Sequence, residues 1–236
     1  DAIKKNGEQT ALVIFGGVNY YSGQVFNMQQ ICKAAHEVGA ICGFDLAHAA
    51  GNIPLDLHDW NVDFACWCSY KYLNSGPGGV AGAFIHQKHI ANKHIPRLAG
   101  WWGHDKENRF KMEPDFIPIP TAEGWQLSNA PVLSMAAHKA SLDIFNQAGF
   151  HHLTQKGKLL SNYLFFILKE INNTHNEKII EIITPENEHE RGCQISMLML
   201  KDGRKIFEAL INEGVIADWR EPNVIRIAPV PLYNTF

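Results

Sequence analysis

The feature that most constrains the fold is a strand–helix–strand pattern in the first 45 residues. Residues 11–15 form an apolar, β-rich run, and residues 27–38 carry apolar side chains at helical spacing. Gly39 is typical of a helix end, and residues 41–44 form a second apolar run that Asp45 closes. Because such a unit joins parallel strands, the pattern predicts a parallel sheet covered by helices.

The rest of the chain extends this pattern and then changes rhythm. Two further apolar runs follow before residue 90, and helical spacing returns after a long irregular stretch. Beyond residue 148, long helices alternate with short strands, the last of them near Val215 and Ile225. We therefore predict an α/β fold, a three-layer sandwich with a mostly parallel sheet, over residues 1–148. Residues 149–236 are predicted to form a small α+β domain.

The composition argues against several classes of protein. The net charge of −3 gives no basic field for nucleic acid, and no Lys/Arg-rich run or long apolar stretch indicates a membrane. The five cysteines lie in apolar segments, which predicts free buried thiols in a reducing compartment and thus a cytoplasmic protein. The spacing of His86, His89 and His94 matches no familiar zinc site, so we expect no metal.

A carboxylate and a lysine follow two neighbouring predicted strands. Asp45 closes the second apolar run, and Lys71 lies just beyond the third. In an open parallel sheet, ligands bind beyond the carboxyl ends of the strands, so both side chains are expected in one crevice. Pyridoxal phosphate uses such a pair, because an aspartate keeps its ring nitrogen protonated and a lysine forms a Schiff base with it. The sequence thus predicts a pyridoxal-phosphate site.

Simpler interpretations exist for each of these features. An aspartate after a strand is often a turn or helix cap, and a lysine there is often a solvated surface residue. The loop Gly76-Pro77-Gly78-Gly79 lacks the rest of a Walker motif, so we interpret it as a turn beside the cofactor lysine. The combination favours the cofactor site, since Lys71 follows a tyrosine and His48 lies three residues after Asp45 on a predicted helix start.

Segments along essentially the whole chain carry a family resemblance. They are residues 43–48 (GFDLAH), 63–74 (DFACWCSYKYLN), 100–104 (GWWGH), 109–112 (RFKM), 127–131 (LSNAP), 190–194 (ERGCQ) and 225–234 (IRIAPVPLYN). These segments resemble the kynureninases, a family of fold-type I, pyridoxal-phosphate-dependent enzymes. Cysteine desulfurases, which share the fold, typically have a histidine where Tyr70 precedes the lysine here.

The resemblance implies a role for each matching residue. Lys71 is implied to be the Schiff-base lysine and the base that takes the substrate α-proton, and Asp45 to pair with the pyridinium nitrogen. His48 would line the cofactor site, and Tyr70 would donate its hydroxyl to the cofactor phosphate. Five further residues are implied to act at the substrate or the cofactor: Trp101 and Asn129, contributed by the partner subunit of a homodimer with shared active sites; Arg226, on the substrate α-carboxylate; and His104 with Ser128, near the aromatic end.

Several of these residues have a structural alternative. Tyr70 could cap an edge of the core, and Trp101 could be an interface residue, since aromatic side chains are enriched at interfaces. Arg226 could be a half-exposed strand residue between two isoleucines, although its planar guanidinium suits a carboxylate. Asn129 precedes a predicted helix and could be its N-cap.

The implied reaction is the hydrolysis of L-kynurenine, and of 3-hydroxykynurenine, to an anthranilate and L-alanine. Another enzyme of the superfamily, such as a cysteine desulfurase or an aminotransferase, is the alternative. A catalytically dead scaffold is a third reading, which the retention of both Asp45 and Lys71 disfavours. Family members are longer on the amino-terminal side, so we expect this chain to be a fragment that binds cofactor poorly by itself.

Overall fold

The computed structural model describes residues 1–92 and 94–236, which form two compact units. The first contains residues 1–15, 27–46 and 56–141, and the second contains residues 16–26, 47–55 and 142–236. The strands are β1 (Leu12–Gly16), β2 (Ile41–Asp45), β3 (Phe64–Cys68), β4 (Ala81–Ile85), β5 (Ile180–Ile182), β6 (Ile195–Met199), β7 (Asp218–Arg220) and β8 (Val224–Ile227). The α-helices are α1 (Ala2–Lys5), α2 (Met28–Glu37), α3 (Gln87–Ile90), α4 (Val132–Ala148), α5 (Phe150–Asn173) and α6 (Gly203–Asn212).

The first unit is built on a four-stranded sheet in the order β1-β2-β3-β4. Helix α2 packs on β2, and it begins at the N-cap Asn27, whose side chain accepts a hydrogen bond from the backbone N–H of Gln30 at 3.0 Å. Gly39, with φ of +76°, follows the helix as predicted. The buried side chains include those of Cys32 and Phe44, from the helix and the strand. The predicted α/β class is confirmed.

The sheet is mixed, and the mixed part was not predicted. Strands β2 and β3 are parallel, whereas β3 and β4 are antiparallel, with Cys66 opposite Ala83. A parallel neighbour requires a crossover of a dozen or more residues, usually with a helix. Residues 69–80 form turns instead, so the chain reverses direction and β4 returns alongside β3.

The second unit has a four-stranded sheet in the order β5-β6-β8-β7, with every neighbouring pair antiparallel. Side chains of α6 pack against the core of this unit. The core itself contains residues from α5, β5, β6 and β8, which are Phe165, Leu168, Ile180, Ile195, Met197, Met199 and Ile225. The strand predicted near Val215 is present but displaced, because the backbone N–H of Val215 bonds to the carbonyl of Leu210 and closes the end of α6. The strand β7 begins three residues later.

The second unit also takes in two segments from the amino-terminal half of the chain. The backbone of residues 16–26 forms an isolated bridge with Arg191, and Thr184 donates from its hydroxyl to the carbonyl of Ser22 at 2.6 Å. In residues 47–55, Asn52 accepts from the backbone N–H of Cys193 at 2.9 Å. The domain boundary at residue 148 stays a prediction. The compact units themselves are assembled from separated segments of the chain.

The cysteines only partly match the predicted burial, and two further findings concern membrane spans and metal ligands. Cys32, Cys42 and Cys193 are buried free thiols, but Cys66 is exposed, because side chains alternate along β3 and Ala65 takes the buried position. None of the helices within residues 1–92 and 94–236 is both long and apolar enough to cross a membrane. In the same residues, no group of three or more His, Cys, Asp and Glu side chains could hold a metal ion.

Candidate active site

The carboxyl ends of β2 and β3 lie at the same edge of the first sheet. Asp45 is the last residue of β2, and it lies opposite Cys66 in the parallel register. The next residue, Leu46, donates from its backbone N–H to the carbonyl of Cys66 at 2.8 Å. Burial, and then the nearby charge of Asp45, raise the pKa of the Cys66 thiol. The two strands therefore present Asp45 and the segment that leads to Lys71 at one edge, as the sequence predicted.

Lys71 lies in a tight turn that is anchored by buried serines. The hydroxyls of Ser69 and Ser75 are 2.6 Å apart, and Ser69 also donates to the carbonyl of Val80. The backbone N–H of Asn74 bonds to the carbonyl of Lys71 at 3.0 Å and closes the turn. These contacts fix the backbone that carries the lysine, and the sequence analysis did not identify the two serines.

The glycine-rich loop completes this anchor. Gly76 and Gly78 have φ of +80° and +73°, a region that other residues rarely adopt. A Cβ at Gly79 would lie 2.1 Å from the hydroxyl of Ser75, so only glycine fits over the serine pair. The predicted turn is confirmed, and its glycines serve the packing of the turn that holds the lysine.

Tyr70 is exposed at the same edge. Its side chain is 51% exposed, which rules out the alternative that it caps the core. The Nζ of Lys71 lies 5.9 Å from the centre of its ring. A hydrogen bond with Cys68 raises the pKa of the Tyr70 hydroxyl, so the phenol stays a neutral hydrogen-bond donor. The hydroxyl thus has the protonation state that a phosphate ligand requires.

Trp101 and His104 line a cleft of about 210 Å³ in the first unit. The indole of Trp101 meets the ring of Phe110 edge-on, with centres 5.2 Å apart, and the imidazole of His104 meets Phe116 at 5.5 Å. Arg109 donates to the carbonyls of Trp102 and His104 at 2.8 and 2.9 Å. The Nε2 of His104 is buried and makes no hydrogen bond within the described residues. The residues around the cleft therefore combine aromatic walls with two buried polar atoms, Nε2 of His104 and Nε of Arg109, that make no hydrogen bond within the described residues.

Ser128 and Asn129 are exposed residues of the first unit. The carbonyl of Ser128 accepts from the side chain of Gln126 at 3.2 Å. Helix α4 begins at Val132, three residues after Asn129, so the position of Asn129 does not allow it to be the N-cap. The structure does not bring Ser128 or Asn129 into the cleft that Trp101 and His104 line.

His48 and Arg226 belong to the second unit. The helix start predicted around His48 is wrong, because residues 47–52 form turns in which Asn52 donates to the carbonyl of His48 at 3.0 Å. Arg226 lies on β8 with its side chain only 10% exposed, and its Nε donates to Asp218 at 2.6 Å. Arg226 is thus more buried than the half-exposed alternative required, and it has a carboxylate partner that the sequence analysis missed.

A buried carboxylate, Asp63, lies just before β3 and was also missed. It accepts from His36 at 2.8 Å, from His89 at 2.6 Å and from the backbone N–H of Cys42 at 2.7 Å, and Lys88 lies 2.7 Å away. The burial of Asp63 raises the pKa of its carboxyl, but these hydrogen bonds outweigh burial and hold the pKa well below its usual value. His89 is therefore engaged in a hydrogen bond of the fold with Asp63, which explains one of the histidines that drew attention as a metal candidate.

The fold of this chain is similar to that of solved pyridoxal-phosphate enzymes. A mutant of C-DES with glycine covalently linked to its pyridoxal-phosphate cofactor superimposes with a TM-score of 0.79 and 19% identity, covering 99% of this chain and 60% of that chain. At this identity the likeness shows the fold alone, which is that of the fold-type I, pyridoxal-phosphate-dependent enzymes.

The sequence comparisons are closer. The family model of the kynureninase C-terminal domain matches residues 153–236. Kynureninase from Flavobacterium psychrophilum is 56% identical over 234 residues, and kynureninase from Christiangramia forsetii is 54% identical over 234 residues. Both alignments cover 99% of this chain and 55% of the relative. The chain is thus similar to kynureninases over nearly its whole length, and it spans about half the length of these curated relatives.

Proposed function

We propose that the full-length protein is a pyridoxal-phosphate-dependent hydrolase that cleaves the Cβ–Cγ bond of L-kynurenine, and of its 3-hydroxy derivative, to an anthranilate and L-alanine. The observation that carries the proposal is the pair of Asp45 and the Lys71 turn, at adjacent carboxyl ends of two parallel strands, in a chain that is similar to kynureninases. Open sheets bind ligands at such edges.

The groups at this edge fit the cofactor by their chemistry. The amine of Lys71, the carboxylate of Asp45 and the neutral hydroxyl of Tyr70 are the donors and acceptors that an aldehyde, a protonated ring nitrogen and a phosphate require. When bound, pyridoxal phosphate supplies an aldehyde for amines and a ring that takes up electron density from the substrate Cα. We propose that these three residues, with His48, hold it.

The remaining residues would act on the substrate. Lys71 Nζ would take the proton from Cα and later return one, as a general base and acid must. Arg226 would bind the α-carboxylate with two parallel N–H donors. Trp101 and His104, which line the aromatic cleft, would receive the aryl ring, and Ser128, which is not part of the cleft lining, would act near the same end of the substrate. Water then adds to the γ-carbonyl of the substrate, and the anthranilate leaves.

We further propose that the protein is a cytoplasmic homodimer with shared active sites. Trp101 and Asn129 would reach the active site of the partner subunit. Two observations support this assignment: Asn129 is exposed and outside the cap of α4, and Trp101 is 45% exposed. The free cysteines support a reducing compartment.

Replacement of Lys71 by alanine in the full-length protein tests the proposed function. Anthranilate release from L-kynurenine should be abolished, and borohydride treatment followed by peptide mass mapping should attach the cofactor to the peptide of Lys71 in the unmodified protein only. Lys111→Ala is a matched control, since Lys111 is an exposed lysine that bonds to Asn108. An active Lys71→Ala variant would refute the proposal, whereas sulfide or a keto acid as product would favour the alternative enzymes.

A further inference from the structure

The surroundings of Arg226 form a row of polar side chains across three strands of the second sheet. In the antiparallel register, Arg226 of β8 lies directly between Ser196 of β6 and Asp218 of β7. Residues directly opposite one another place their side chains on the same face of a sheet. The row therefore brings the guanidinium and the carboxylate of Asp218 together by strand pairing alone.

Three contacts fix the orientation of the guanidinium. Its Nε and Nη2 both approach Oδ2 of Asp218, at 2.6 and 2.5 Å, and its Nη1 donates to the carbonyl of Tyr20. A guanidinium has five N–H donors. Among the residues that the structure describes, these three contacts leave two N–H donors of Arg226 for other partners. A carboxylate takes two parallel N–H bonds, so the number of remaining donors suits one carboxylate.

The local charge also suits an anion. Asp218 pairs with Arg220 as well, whose Nε lies 3.0 Å from the same carboxylate. Two guanidinium groups therefore share one carboxylate, and the cluster of Arg220, Asp218 and Arg226 keeps one net positive charge. Without Asp218, the nine-tenths buried Arg226 would lack its counter-ion and its rotamer would be held by Tyr20 alone.

The carbonyl of Tyr20 is itself held in place. Gln194 donates from Nε2 to this carbonyl at 3.0 Å and to the hydroxyl of Ser196 at 2.9 Å. Ser196 donates in turn to the carbonyl of Tyr21 at 2.6 Å. Both acceptors of Arg226 are thus fixed, one by the strand register and the other by this buried polar network.

We propose that Asp218 is a positioning residue, which orients Arg226 so that its two remaining N–H donors face the α-carboxylate of an amino-acid substrate. This inference rests on the proposed role of Arg226 in the proposed function. It predicts that the loss of Asp218 weakens the binding of carboxylate substrates and leaves the cofactor and the chemical step in place.

The test compares Asp218→Ala and Asp218→Asn in the full-length enzyme. The alanine variant should raise the KM for L-kynurenine at least about tenfold, with a much smaller change in kcat, because a bidentate ionic contact is misaligned. The KM for the α-carboxamide of kynurenine should not change. The asparagine variant should recover most of the affinity, since its amide oxygen still accepts from Nε. Glu208→Ala, which removes an exposed carboxylate paired with Arg204 at 3.1 Å, is the matched control.

Each other outcome overturns the inference. An unchanged or lowered KM for kynurenine would show that Asp218 does not position the guanidinium or competes with substrate for it. Parallel losses in melting temperature, cofactor content and carboxamide affinity would show a structural role only. Arg226→Gln, which removes the positive charge, tests the proposed function separately: if this variant keeps the preference for the carboxylate over the carboxamide, the assignment of Arg226 itself fails.

Discussion

The carboxylate of Asp63, which lies just before β3, stabilises the fold through several contacts. Its carboxylate is 3% exposed and holds His36, Lys88 and His89 as well as the backbone N–H of Cys42. Removing one member of a buried ion pair leaves its partners uncompensated. We expect Asp63→Asn to lower the unfolding free energy of the full-length protein by about 3 kcal/mol in urea denaturation. Asp59→Asn, at an 84% exposed side chain, should have no measurable effect.

The same carboxylate gives the stability a pH dependence of known sign. Burial raises the pKa of Asp63, but the hydrogen bonds from His36 and Lys88 lower it by more, so the folded pKa lies below the ordinary value. This stabilisation is complete above an unfolded pKa of about 4 and is lost as the pH falls through the folded pKa. The difference in unfolding free energy between the unmodified protein and Asp63→Asn should therefore shrink between about pH 4 and pH 2. A difference that is constant down to pH 2 would contradict the assignment.

Residues that act through distant partners are the ones that the sequence could not reveal. Asp45 and Lys71 were predicted from their places after apolar runs, which are local features. Asp63 and Asp218 have equally local positions, but the partners of Asp63 lie up to 27 residues away. The contact of Arg226 with Tyr20 spans 206 residues. Only the sheet register and the loop packing bring such groups together.

At the scale of secondary-structure elements, sequence patterns predicted those features that depend only on residues close along the chain. The helix α2, its cap and the glycine after it follow from spacing and backbone preferences. The direction of β4 does not, because it depends on the turn that Ser69 and Ser75 hold through tertiary hydrogen bonds. Strand β7 begins later than predicted, because a backbone hydrogen bond extends the end of α6 to Val215.

The pairing of β2 with β3 depends on one glycine. Gly43 lies opposite Phe64, and a Cβ at Gly43 would approach the phenyl ring to 2.2 Å. We expect Gly43→Ala to destabilise the full-length protein by about 2 kcal/mol, because overpacking forces the ring or the strand to move. The clash needs the ring, so Phe64→Leu should partly rescue Gly43→Ala in a double-mutant cycle measured by urea denaturation. Strictly additive effects of the two substitutions would show that the ring is not the obstacle.

At the scale of the whole molecule, each compact unit is assembled from separated segments of the chain. The loops after β1 and β2 belong with the carboxyl-terminal residues, because Thr184 and Cys193 hydrogen-bond to Ser22 and Asn52. Composition and periodicity assign segments to element types, but such side-chain contacts decide with which unit a loop packs.

The first unit exposes large apolar side chains to an extent that suits a partner surface. Five of them are at least three-quarters exposed: Leu98, Phe110, Met112, Val132 and Leu133. Contiguous apolar patches mark interaction sites, and we propose that these side chains belong to the surface that meets a second copy of the chain in the proposed function. Leu133→Glu should weaken dimerisation of the full-length protein at least about tenfold in light scattering coupled to size exclusion, because a charge would be buried.

Activity should report the same equilibrium if Trp101 and Asn129 complete the active site of the partner. On dilution of Leu133→Glu, anthranilate formation per chain should fall in step with the dimer fraction, whereas the unmodified enzyme should lose none over the same range. Ile216→Glu is the matched control, since Ile216 is 93% exposed in the second unit and should change neither mass nor activity. A fully active monomer of Leu133→Glu would separate the two ideas: the surface would be an interface, but each active site would be complete within one chain.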